Sequence, residues 1–282
     1  MIVCRTQSEW KKEQKVLQDD PGTFALVPTM GALHEGHLTL IREAKQHHAR
    51  VVVTIFINPL QFGANEDFDS YPRTEDQDLR LLQREGADVV WLPGVQDLYK
   101  EKQLITMNTS PLGDQLCGSK RVGHFDGMAT VVMKFLQLVA PDAAYFGKKD
   151  AQQLAIIKKM VEDFHIQTTI VGVDTVRDVD GLALSSRNVN LSEREREDAP
   201  MLFEALKSSV NEIKHTSNAR LLTKKAIDQL EESLASIEYV ELVTFPNLES
   251  VDSLERGQRY VLAAAVQYER ARLIDNIMFT MS

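Results

Sequence analysis

The run Val51-Val52-Val53-Thr54-Ile55-Phe56-Ile57 most constrains this chain. A stretch this apolar, with no polar alternation, describes a strand buried on both faces, as in a parallel sheet covered by helices. Shorter runs at 23–28, 88–92, 143–146 and 168–173 have the same character. Helical patterns near 37–48, 74–85, 125–139 and 149–164 lie between or after them. The alternation predicts an α/β fold, a doubly wound, Rossmann-like parallel sheet whose ligands bind beyond the carboxyl ends of the strands. Near residue 175 the pattern changes. A polar, glycine-containing stretch spans 175–190, and Ser192 with Glu195 makes a capping box. Two long amphipathic helices are expected near 192–214 and 218–235. Strands at 239–245, 260–266 and 271–278 alternate as in an antiparallel sheet with one wet face. Two domains are expected: a Rossmann-like one over 1–176 and a smaller C-terminal α+β lid over 177–282.

Composition narrows the function classes. A formal net charge of -9 argues against non-specific nucleic-acid binding, which needs a basic surface, while leaving room for a local basic pocket. No run approaches the roughly 18 apolar residues of a membrane span, and residues 9–15 are charged where a signal core would be apolar. Cys4 and Cys117 stand far apart, as in structural thiols of a reducing compartment. These features predict a cytoplasmic protein with neither nucleic-acid nor membrane partners.

The unusual residues cluster after the strands. Pro28-Thr29-Met30-Gly31-Ala32-Leu33-His34-Glu35-Gly36-His37 turns the first predicted strand into a helix whose apolar face is Leu38, Leu40, Ile41 and Ala44. A helix start offers unpaired N–H groups and a positive dipole end to an anion, and glycines permit its close approach. His37 and Leu38 after Gly36 exclude a Walker A loop, and the i, i+3 spacing of His34 and His37 excludes the zinc-protease pattern. A phosphate site without a P-loop lysine remains.

Asn58-Pro59-Leu60-Gln61-Phe62 follows the second strand; Pro59 holds Asn58 extended, which suits Asn58 and Gln61 as neutral hydrogen-bonding groups. Glu66, Asp67 and Asp69 are read as solvated, with a water-mediated Mg²⁺ the alternative. Arg121 and His124 open the helix that begins near Phe125 and Asp126. Gly147-Lys148-Lys149-Asp150 joins the 143–146 strand to its helix. A lysine pair in a loop is ordinarily solvated charge, but at this strand end one lysine sits close to phosphate. Gln153 shares the helical face of Asp150. Asp180-Gly181 reads as a turn, and Ser185, Ser186 and Arg187 form a series of donors suited to a triphosphate. His47, His48, His165 and His215 are taken as surface residues. No cluster has metal-site spacing, so no protein metal site is expected.

Taken together, five ordered motifs (28–37, 58–62, 123–127, 147–153 and 180–188) resemble the pantoate–β-alanine ligase family end to end. Its HIGH-type nucleotidyltransferase signature corresponds to His34-Glu35-Gly36-His37. The resemblance implies a homodimeric ligase that uses ATP with Mg²⁺ to convert (R)-pantoate into a pantoyl-adenylate, then passes the acyl group to β-alanine with release of AMP and pyrophosphate. It assigns Met30 through His37, Gly147 to Asp150, Val176 and Leu184 to Arg187 to ATP. His37 is implied as the proton donor, with His34, Lys149 and Arg187 as further catalytic groups. Gln61, Gln153 and Asn58 are implied for pantoate, and Gln61 also for β-alanine. Lys149 rather than Lys148 aligns with the phosphate-contacting lysine. Val122 and Asn190 depart from the family pattern, Val122 standing where proline is common and Asn190 where an aromatic residue is. The polar linker suggests hinged closure on ATP. The alternatives are another HIGH-motif adenylyltransferase of coenzyme biosynthesis, an aminoacyl-tRNA synthetase fragment, and a non-catalytic nucleotide-binding regulator.

Overall fold

A computed structural model describes the chain except Ala64, Asn65, Asp67 and Lys102, so the expectation for Asp67 lies outside the described residues. The order begins β1 (Ile2–Cys4), α1 (Gln7–Asp19), β2 (Phe24–Thr29), α2 (Glu35–His47) and β3 (Arg50–Ile55). It continues α3 (Glu75–Glu85), β4 (Val89–Trp91), α4 (Val95–Leu98), α5 (His124–Val139), β5 (Ala143–Gly147), α6 (Ala151–Asp163) and β6 (Thr169–Val173). The strands form one parallel sheet in the order β1-β4-β3-β2-β5-β6. The chain winds outward from β2 through β3 and β4, then crosses back to β5 on the other side of β2. Residues 28–37 and 147–150 thus leave adjacent strands at the point where the winding reverses, the crevice in which such sheets bind ligands.

Both faces of the sheet are covered, as the continuous strand runs require. Val27, Val51 and Val53 pack under α2 and α3 through Leu38, Ile41, Ala44 and Leu82. Leu26, Val52 and Trp91 pack against α1, α5 and α6 through Trp10, Phe135 and Ile157. Trp10 stacks on Trp91 with ring centroids 5.2 Å apart. β1 and α1 were not expected from the sequence. The charged run over 9–15 hides the widely spaced Trp10 and Leu17, which are nevertheless buried, and a three-residue strand carries little periodicity.

The C-terminal part contains α7 (Glu193–Asp198), α8 (Met201–Asn211), α9 (Ala219–Leu230), β7 (Ser236–Thr244), β8 (Arg259–Gln267) and β9 (Arg272–Thr280). Its sheet is antiparallel in the order β7-β8-β9. The single helix expected over 192–214 is broken after Asp198, and α8 starts directly after Pro200, which has no N–H to continue the preceding turn.

The wet face expected for this sheet is largely covered. One face, with Leu262, Ala264 and Leu273, packs on α8 and α9. The other, with Val243, Val261 and Ala263, joins the apolar cluster of the parallel sheet. β8 is buried from Tyr260 to Val266 for this reason. Alternation in the sequence reported small residues on the docking face, not water.

Candidate active site

The 28–37 turn builds its own geometry. Gly31 adopts φ +82°, and a side chain there would stand 3.1 Å from both Asp78 and Ile55. His34 caps α2, its Nδ1 accepting from the Gly36 N–H at 3.2 Å. His37 returns the contact, its Nδ1 accepting from the His34 N–H at 3.4 Å. With both Nδ1 atoms used as acceptors, each neutral ring carries its proton at Nε2. The ring centroids lie 4.1 Å apart.

Electrostatics keep both rings neutral. Burial, then the positive charge of Lys149, lowers His34 to about 4. Burial, then His34 and Lys149, lowers His37 to about 3. At neutral pH, with the cleft free of phosphate, His37 therefore carries a single ring proton, at Nε2, where it is available to donate.

Asp78, which sequence reasoning missed, fixes the turn from α3. Its buried carboxylate accepts from the N–H groups of Ala32 (3.0 Å) and Leu33 (2.9 Å) and from the Thr74 hydroxyl (3.2 Å). The available signal was a charge at i, i+4 from Leu82 on the apolar stripe of an amphipathic helix.

The loop after β5 separates its two lysines. Lys148 turns outward to Asp174, while Lys149 lines the cleft with Gly147, Asp150 and Gln153. On the far wall, Val176 and Leu184 are joined by a backbone hydrogen bond of 3.0 Å, and both line the cleft ahead of Ser185, Ser186 and Arg187. The Arg187 guanidinium lies 5.9 Å from the Tyr71 ring centre. The cleft encloses about 230 Å³, polar along the histidines, Lys149 and Arg187 and apolar along Phe56, Val131, Val132 and Phe135.

Gln61 lines this cleft, but Asn58 does not. Asn58, expected to contact ligand, is buried behind it. Its Nδ2 donates to Gln61 Oε1 (3.1 Å) and the Gly127 carbonyl (3.0 Å). Its Oδ1 accepts from the Tyr99 hydroxyl at 2.8 Å. Gln61 therefore turns its NH₂ group toward Met30 and the cleft, as a donor. Tyr99 was not singled out from sequence, where its helix is only four residues long.

Glu66 is not solvated as expected. It makes paired hydrogen bonds of 2.7 and 2.6 Å to Arg121, and although burial opposes it, this pairing holds the carboxyl below the usual range. Arg121 donates on to His124 Nε2, and His124 Nδ1 donates to the Gln61 carbonyl at 2.7 Å. Burial, then Arg121, lowers His124 to about 4. Of the other expected residues, Gly31, Ala32, Leu33 and Glu35 stand outside the cleft lining. The first three shape the turn, and Glu35 pairs with Arg42 on the surface. His48 is half-buried and bonded to Thr23, whereas His47, His165 and His215 are exposed. Among the described residues no group of three or more His, Cys, Asp or Glu side chains is placed to hold a metal.

The sequence profile of the pantoate-beta-alanine ligase family matches residues 2–278. The chain belongs to the pantoate–β-alanine ligase family. A pantothenate synthetase of Halalkalibacterium halodurans is 45% identical over 99% of this chain and 98% of its own. One from Bacillus pumilus is 47% identical over 96% and 94%. The crystal structure of the Thermus thermophilus pantothenate synthetase superposes with a TM-score of 0.91 at 38% identity, covering 98% of this chain and 99% of that one. That of the Francisella tularensis pantoate–β-alanine ligase, described as complexed with β-γ ATP and β-alanine, gives a TM-score of 0.80 at 34% identity over 99% and 97%. Family membership makes this chain an enzyme, a ligase of pantothenate biosynthesis. No helix among the described residues is long and apolar enough to cross a membrane.

Proposed function

We propose that this ligase works in two steps, adenylating pantoate with ATP and then transferring the pantoyl group to β-alanine. The observation that carries the reading is the convergence of two neutral imidazoles, Lys149 and the 185–187 donors on a cleft that also contains Gln61 and Gln153. In the first step a pantoate carboxylate oxygen attacks the α-phosphorus of ATP. The bond from that phosphorus to the bridging oxygen breaks, and pyrophosphate leaves. Charge builds on the phosphoryl oxygens and the leaving group, where preorganised donors act most strongly. The Nε2–H groups of His34 and His37, the Lys149 ammonium and Arg187 supply them. In the second step the free amine of β-alanine attacks the acyl carbon, the bond to the AMP oxygen breaks, and the nitrogen releases one proton to solvent. Proximity suffices for this step, and no side-chain nucleophile is required.

The apolar wall of Phe56, Val131, Val132 and Phe135 suits the dimethyl carbon of pantoate, and the Gln61 NH₂ suits one of its oxygens. Mg²⁺ belongs to the reading as the ATP complex, held chiefly by phosphates and water. Asp150 and Asp174 line the cleft, and Asp150, with Asp174 paired to Lys148, is the carboxylate left to that complex. A homodimer is part of the same proposal and is checked by sedimentation. The deciding experiment incubates enzyme with Mg-ATP and pantoate, with and without β-alanine. Rapid AMP release only with β-alanine, together with pantoate-dependent ATP–pyrophosphate exchange, is the expected result. Equal AMP release without the amine overturns the two-step order.

A further inference from the structure

The two halves of the cleft are tied together by adjacent residues of the C-terminal sheet. Asn276, in the middle of β9 and 6% exposed, donates Nδ2 to the carbonyl oxygens of Lys148 (3.0 Å) and Lys149 (2.8 Å). Its neighbour Asp275, 3% exposed, is paired with Arg177, one contact being 2.9 Å. Arg177 also donates to the Gly181 carbonyl, and its guanidinium lies 3.5 Å from the Phe203 ring centre. It bridges to Ala183, directly before the segment that carries Ser185 and Arg187. Successive strand residues point to opposite faces. Asn276 therefore reaches across to the parallel-sheet domain, while Asp275 reaches the linker.

The consequence for Lys149 is geometric. The Lys148 N–H is already bound to the Val173 carbonyl at 2.8 Å. With Asn276 on its carbonyl, the Lys148 residue is fixed at both ends, and its side chain goes out to Asp174. The next residue then projects into the cleft. Without Asn276, two carbonyls with 2.8–3.0 Å partners lose their donors, and the loop is free to turn. We infer that Asn276 is a positioning residue for Lys149, so that the second domain helps to build the phosphate-binding loop. This rests on the reading of Lys149 as a ligand of the nucleotide phosphates.

The test compares Asn276→Ala and Asn276→Asp in the full-length enzyme, with Met278→Ala as control. Met278 packs on the shared apolar cluster without reaching the loop carbonyls. Loss of these hydrogen bonds should raise the KM for ATP roughly tenfold while the KM values for pantoate and β-alanine stay within about twofold. Asn276→Asp should be at least as impaired, because its carboxylate faces two carbonyl oxygens. Met278→Ala should lower Tm and leave the KM for ATP in place. An Asn276→Ala enzyme whose KM for ATP moves no more than that of Met278→Ala overturns the proposal. Lys149→Ala separates the two levels. If it is crippled while Asn276→Ala is normal, only the positioning role fails. If it binds and uses ATP normally, the reading of Lys149 fails and this inference with it.

Discussion

Two strand-to-helix turns meet at the switch point of the parallel sheet, and they are held in different ways. The 28–37 turn is largely self-made: His34 and His37 cap α2 through their Nδ1 atoms, glycine occupies the φ +82° position, and Asp78 of the same domain secures the remaining N–H groups. The loop after β5 has no side-chain cap of its own at Asp150, and its carbonyls are held by Asn276 from the C-terminal sheet. One turn takes its geometry from its own residues and from Asp78 beside the same parallel sheet. The other takes its carbonyl donor from 127 residues along the chain, on the C-terminal sheet.

Breaking the self-made turn should have the largest effect on chemistry. His37→Ala removes a donor that acts on developing charge and should lower pantoate-dependent ATP–pyrophosphate exchange by ~10²-fold or more. Because the ring is neutral, His37→Gln, which restores an N–H donor without a titrating group, should recover part of that loss. An exchange rate unchanged in His37→Ala would sink the assignment. Asp78→Ala attacks the same turn from behind. It leaves the Ala32 and Leu33 N–H groups without their acceptor and should cost about 3 kcal/mol of folding stability, visible as a lower denaturation midpoint. An Asp78→Ala enzyme with wild-type stability would show that the turn needs no outside support.

The same contrast decides what could be read from the sequence. The parallel sheet, the small antiparallel C-terminal sheet and the loops at strand ends were legible because they rest on local periodicity and turn chemistry. Asp78, Tyr99 and Asn276 were not, since each acts on a partner 41 or more residues away: Asp78 on Ala32 at 46, Tyr99 on Asn58 at 41, Asn276 on Lys149 at 127. Asn58 shows the reverse error. Its position beside Gln61 promised a ligand contact, but only the fold reveals that its amide is already used. Likewise, the apolar run of β8, with Ala263, Ala264 and Ala265 at its centre, does not announce whether water or other apolar elements cover its second face.

Acid should loosen the polar cleft. His34, His37 and His124 have folded-state values of about 4, about 3 and about 4, each depressed first by burial, against about 6.5 when unfolded. Between pH 6.5 and 4 the unfolded chain binds more protons, so stability is fully present above 6.5 and falls as pH drops. One ring contributes at most about 1.4 kcal/mol per pH unit, and less where it faces the open cleft, as all three do. Urea unfolding at pH 7 and pH 5 measures it. Replacing His124 with Asn should flatten the slope by one ring's share, and an unaltered slope would remove His124 from the set. Added Mg-ATP should shift the same curve toward acid, since phosphate favours the protonated rings.

The smallest effect should come from the far side of Gln61. Tyr99→Phe keeps the ring, with its 6.2 Å contact to Phe56 and the Lys134 ammonium 5.1 Å from its centre, and removes only the hydroxyl that donates to Asn58. Asn58 Oδ1 then keeps a 3.3 Å contact from the Leu60 N–H alone. The amide is less firmly oriented, and so is the Gln61 NH₂ group it steers. One neutral hydrogen bond corresponds to about 1 kcal/mol, so the KM for pantoate should rise roughly fivefold with the KM for ATP unchanged. This pattern mirrors the one expected for Asn276, where ATP is affected and pantoate spared. If both variants moved both constants equally, the two turns would be one mechanical unit, and the division between a self-made half and a borrowed half would fail.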